Sequence, residues 1–143
     1  MKRLAVALVA VAAFGSGCGP STIVLRGASL TAADDLSRCA LRQLGRLGYT
    51  VREGNPESGV ITAVKNTSST RLVLLSGNDS EERLVVTTLA GGPDRKSTMR
   101  VHGASFFWGA DMRKIPGRPS RRLTRDANQI LEACGILDGV RDH

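Results

Sequence analysis

The sequence predicts an α+β domain: an antiparallel meander sheet with an N-terminal and a C-terminal helix packed on one face. Three observations predict it. Two segments, one towards each end of the chain, place apolar residues three and four apart, the spacing of a helix with one buried side. Between them lie short runs rich in Val, Ile and Thr. Dense Gly, Asn, Pro and Asp sequences separate those runs, and short turns of that kind join antiparallel neighbours.

The first helix opens on Thr31 as N-cap with Asp34 three residues on, a capping-box spacing. It continues through Ala33, Leu36, Ala40, Leu44 and Leu47 until Gly48 stops it. Asp34 and Asp35 read as partners of the helix dipole rather than as a catalytic pair, because first-turn carboxylates face its positive end. Residues 49–53 alternate like a half-buried strand, 54–59 turn, and 60–65 return. A polar loop over 66–70 precedes a short apolar run at 72–75, read as a strand. Further strands follow at 83–89 and 97–104, and the last helix runs from about 121 to 133, broken by Gly135. Upstream, residues 23–25 form a short edge strand within a lead-in.

The chain is 143 residues, 41% hydrophobic and 23% charged, which excludes collagen, coiled coil and wholesale disorder. Its beginning decides the compartment. Lys2 and Arg3 precede an apolar run over residues 4–14, within signal-peptide length and far short of the roughly 20 residues of a membrane span. Gly15-Ser16-Gly17 then leads into Cys18. With small residues at 16 and 17 ahead of the cysteine, this region resembles the lipobox of bacterial lipoprotein signals. The resemblance implies removal of residues 1–17 as a signal peptide and acylation of Cys18, palmitate included. Gly19, where an Asp would mark inner-membrane retention, resembles the type sorted to the outer membrane. The organisation expected is then residues 18–29 as lipidated N-terminus and lead-in, 30–135 as the α+β domain and 136–143 as a tail. The plain alternative is secretory cleavage at Ala10-Val11-Ala12, with Cys18 a spare thiol.

Cysteine usage fits an oxidising compartment. Cys39 borders the apolar face of the first helix, three residues after Leu36. Cys134 extends the pattern Leu123, Ala127, Ile130, Leu131 of the last helix. Both thiols are expected to face the core and to form a disulfide; the other reading is a pair of buried, reduced cysteines. Neither has a second Cys or His at ligand spacing, so no metal is expected.

The stretch Leu44-Gly45-Arg46-Leu47-Gly48-Tyr49-Thr50-Val51, followed by Glu57-Ser58-Gly59-Val60-Ile61-Thr62-Ala63, resembles small envelope lipoproteins with a BamC-like domain. In these a helix ends in Leu-Gly-Tyr and a hairpin follows. The resemblance implies an accessory or scaffolding role in the envelope and transfers no catalytic residues.

Catalytic chemistry has little to stand on in the sequence. The histidines are His102, inside a strand, and His143, the last residue. No nucleophile elbow, phosphate-cradling Gly-rich loop or His/Asp/Glu metal spacing occurs. No enzyme activity and no cofactor are expected; a hydrolase assembled from residues distant in sequence is the remote alternative.

One segment stands out. Phe106-Phe107-Trp108 is followed by Arg113, Lys114, Arg118, Arg121, Arg122 and Arg125, with no acid between 113 and 125. The formal charge of the chain is +7, and this segment concentrates it. Arg121 and Arg122 fall in the first turn of the last helix, whose free N–H groups and neighbouring guanidinium groups together can hold an anion. The expected partners are the membrane, reached through the lipid anchor, and either an anionic lipid or an envelope protein with an acidic surface. Nucleic acid is excluded because export separates the protein from it. The plain alternative is that the aromatics plug an open sheet end and the arginines reflect an Arg-rich composition. The function expected is a lipid-anchored accessory or scaffold of the cell envelope, on the outer membrane facing the periplasm. A periplasmic module that binds anionic ligands through its basic loop is the alternative.

Overall fold

Two long alternating sequences, residues 80–89 and 97–108, build the centre of the sheet, and everything else is placed by reference to them. A computed structural model describes residues 22–67, 80–92, 95–109, 111, 113–136 and 140–141. The elements in chain order are β1 (Thr22–Ser29), α1 (Ala33–Arg46), β2 (Thr50–Asn55), a 3₁₀ turn (Pro56–Ser58), β3 (Val60–Asn66) and β4 (Ser80–Leu89). Then come β5 (Ser97–Trp108), β6 (Lys114–Gly117), α2 (Arg121–Ala133) and β7 (Val140–Arg141). The leader, Cys18, residues 72–75 and His143 lie outside the described residues.

The architecture is α+β, with an antiparallel sheet and both helices on one of its faces. Strand order is β2-β3-β4-β5-β1-β7, so β2 to β5 form a meander and β1 returns to the far edge of β5. Alternate residues of the strands turn inward: Ile61 and Ala63, Leu84 and Val86, Met99 and Val101, and Leu25. They meet Leu36, Ala40 and Leu44 of α1 and Leu123, Ala127, Ile130 and Leu131 of α2, all buried. Burying each Leu, Ile, Val or Met among them stabilises the fold by about 1.5–3 kcal/mol.

Residues 22–29 extend well past the short strand expected at 23–25. All eight pair with β5, from Thr22 opposite Ala104 to Ser29 opposite Ser97. β6, absent from the sequence reading, pairs with the end of β5, from Ser105 opposite Gly117 to Trp108 opposite Lys114. Because β4 holds the other edge of β5 through Ser80–Phe107 and Glu82–Ser105, β6 must use the edge that β1 uses. β1 and β6 therefore lie end to end along one side of β5. β2 is exposed throughout and carries a bulge at Arg52 between Val51 and Glu53, as suits a protected sheet edge.

The helix ends differ from one another. Thr31 does not cap α1: Ala32 takes the N-cap position without a side-chain bond, and the Thr31 hydroxyl accepts from Ser29 Oγ at 3.1 Å instead. The helix starts one residue later than a Thr31 cap requires, and Ala32 has no side-chain acceptor, so the capping box does not form. Gly48, at φ 82°, closes α1 as a left-handed residue. In α2, Ser120 caps the helix and accepts from Leu123 N at 3.0 Å. Cys39 in α1 and Cys134 just past α2 are joined by a disulfide, with Cα atoms 5.8 Å apart.

Candidate anion-binding end and the polar cluster beneath it

The nine residues singled out between 106 and 125 do not form one patch; strand alternation divides them. Ser105 is buried on the helix side of β5 and accepts from Ser120 N at 3.4 Å, so Phe107, two residues on, is on that side too. Phe106 and Trp108 take the opposite face. There the Arg83 guanidinium lies 4.9 Å from the Phe106 ring centre, and Lys114 Nζ lies 5.0 Å from that of Trp108. Phe107 stays 42% exposed, and its cross-strand partner Ile115 is 51% exposed, so the β5–β6 hairpin displays an apolar pair. The Phe107 ring packs against Gly117, where a Cβ would collide with it.

The basic residues divide as well. Lys114 is neutralised by Glu81, with Nζ 2.9 and 3.0 Å from its two oxygens, and Arg83 approaches the same carboxylate at 3.4 Å. Arg113 pairs with Asp111 at 3.4 Å in the open. Arg118, Arg121, Arg122 and Arg125 make no ion pair with any described carboxylate. These four surround the start of α2. Arg118 and Arg122 flank a cavity of about 310 Å³ that Glu81, Glu82, Ser105 and Phe107 also line. Arg121 and Arg125 line a groove along the outside of the helix.

Beneath them is a polar cluster that the sequence reading missed. Glu82, 4% exposed, accepts the Ser120 hydroxyl on one oxygen and the Tyr49 hydroxyl on the other, the latter at 3.5 Å. Tyr49 also reaches Asp126 at 3.2 Å. Asp126, 3% exposed, has Lys65 Nζ at 3.6 Å, and that ammonium donates to Leu47 O at 2.7 Å and sits 5.1 Å from the Tyr49 ring centre. Burial, then the Asp126 and Glu82 charges, push the Tyr49 phenol well above its ordinary range. The consequence for the helix end is direct. The protein's own Glu82 carboxylate sits at the Ser120 cap, so the axial position at the α2 N-terminus is already served by an internal anion. The groups left facing outward at this end are the flanking guanidinium groups of Arg118, Arg121 and Arg122.

The signals for this cluster were present. Glu82 shares the inward parity of Leu84 and Val86, visible once the strand is begun at Ser80 rather than at residue 83. Asp126 stands three residues after Leu123, on the apolar side of α2. His102 is exposed on the open sheet face, in register between Val24 and Val85. Among the described residues no group of three His, Cys, Asp or Glu side chains could hold a metal, and no helix is long and apolar enough to cross a membrane. No protein-family model matches the chain, and no curated protein matches it.

Proposed function

We propose that the protein is a lipid-anchored accessory or scaffold module of the cell envelope, acting by binding, with Cys18 as its acylated N-terminus. The observation that carries this reading is the basic, apolar, small-residue leader ending at Cys18, four residues ahead of β1. The described core draws on residues from Ile23 onward. The bonded Cys39–Cys134 pair suits an oxidising compartment. Arg118, Arg121, Arg122 and Arg125, which meet no described carboxylate, give the module a surface for anionic groups. Acyl chains of this kind contribute roughly 0.8 kcal/mol per buried methylene, and two or more hold a protein stably to a bilayer.

Metabolic labelling with a fatty-acid analogue tests the proposal. The wild-type chain takes up label and fractionates with membranes, whereas Cys18→Ala loses label and is released. Label that persists in Cys18→Ala refutes the anchor. A soluble periplasmic module is the second reading, favoured by the arginine-flanked cavity, and a native chain that is unlabelled and freely soluble in the periplasm would establish it.

A further inference from the structure

The start of β1 and the basic end of α2 meet at one end of the molecule. Thr22 lies opposite Ala104 and Gly117 opposite Ser105, on the same edge of β5. The strand leading in from the N-terminus therefore begins where β6 ends, and Arg118 follows Gly117 directly. Cys18 is four residues before Thr22, a reach of at most about 14 Å for an extended chain. Beyond Ala104, β5 runs four residues further to Trp108, about 13 Å at the rise of a strand. A lipid on Cys18 thus holds Thr22 within about 14 Å of a bilayer, close to the distance by which the β5–β6 hairpin itself projects. The end brought there carries the exposed Phe107–Ile115 pair and the exposed Arg118, Arg121 and Arg122, which meet no described carboxylate.

We infer that this end of the domain seats on the anionic headgroups of the same leaflet that holds the Cys18 lipid. The guanidinium groups meet phosphates, and Phe107 and Ile115 enter the interface. The inference rests on the lipid-anchored reading and adds an orientation and a partner to it. Tether length and charge complementarity select the partner: a short leash keeps the arginines at the headgroup level, where each basic residue contributes about fivefold in surface affinity. The open face of the sheet, with His102, then points along the membrane rather than into it.

The chain's single tryptophan, Trp108, reports the seat without added labels. The full lipidated protein is reconstituted into vesicles of phosphatidylglycerol and phosphatidylcholine that carry lipids brominated near the headgroup, then floated on a density gradient. Co-flotation reads the anchor, and quenching of Trp108 reads the seat. The expected result is flotation with strong quenching. Quenching is lost at high salt and in the triple variant Arg118→Ser, Arg121→Ser, Arg122→Ser, which still floats; the corresponding triple Lys variant retains it. Those three side chains are exposed and meet no described carboxylate, so the variant keeps the fold. Flotation without quenching overturns the seat and leaves the anchor standing, as an acidic protein partner for the arginines would require. Equal quenching in pure phosphatidylcholine, or in the triple Ser variant, also overturns it. Failure to float, with no acyl group on Cys18, removes the anchored reading and the seat together.

Discussion

Glu82 accepts from a helix cap on one carboxylate oxygen and from the Tyr49 phenol on the other, so one buried side chain ties β4 to the start of α2 and to the segment between α1 and β2. Removing the phenol oxygen leaves Glu82 and Asp126 each short of a donor in a buried setting. Tyr49→Phe therefore costs about 1–3 kcal/mol, read as a lower urea midpoint with unchanged slope. Titration gives a second readout. The folded phenol is held above its ordinary value of 10.0. The unfolded state thus gives up its proton first, so stability is full below about pH 10 and falls as the pH rises beyond it. Tyr49 is the only tyrosine, so phenolate absorbance should appear only as the protein unfolds at alkaline pH. A smooth titration of the native protein near pH 10 would contradict this. At the same scale, Gly59 adopts φ 69° and has the Thr88 carbonyl where a Cβ would sit. Gly59→Ala should destabilise the fold by about 2 kcal/mol or more, measured by the same denaturation. A turn at 54–59 is legible from Gly, Asn and Pro alone; the requirement for glycine at position 59 is not, because the obstructing atom belongs to β4.

Helices and most strands could be read from spacing because each has one buried side. α2 covers Arg121–Ala133, the range that its apolar pattern indicates, and α1 ends at the Gly48 stop. Other features were hidden for local reasons. β6 is four residues with a proline inside, tolerable because Pro116 stands on a sheet edge and offers no alternation to detect. β1 is longer than its apolar centre shows, since Arg26 and Gly27 break the hydrophobic run while the ladder to β5 continues through them. Of the candidate anion-contact residues, charge counting found the arginines but could not foresee which are already engaged; the Glu81 bond to Lys114 spans a chain separation of 33. The Cys39–Cys134 staple joins the two helices across a separation of 95 residues. By chain entropy such a closure contributes at most about 4–5 kcal/mol. The double variant Cys39→Ser, Cys134→Ser should lower the thermal midpoint by about 10 °C or more in calorimetry, and reductant should do the same to the wild type. A midpoint indifferent to both would show the helices hold without the bond.

At the scale of the molecule, the pairing order of the sheet differs from the order of the chain. The β2–β5 meander joins neighbours in sequence, whereas β1 waits for β5. Local contacts form faster than distant ones because less chain must be closed to make them. In pulsed hydrogen exchange during refolding, amides of β3 and β4 should gain protection before those of β1, and simultaneous protection would argue against this order. A chain emerging head first brings out Thr22–Ser29 when the strand that receives it, Ser97–Trp108, has yet to appear. The leading segment travels with its ladder unmade, and the seam closes only after most of the polypeptide has come through. Such a topology makes the β1–β5 seam a late closure in the assembly of the fold.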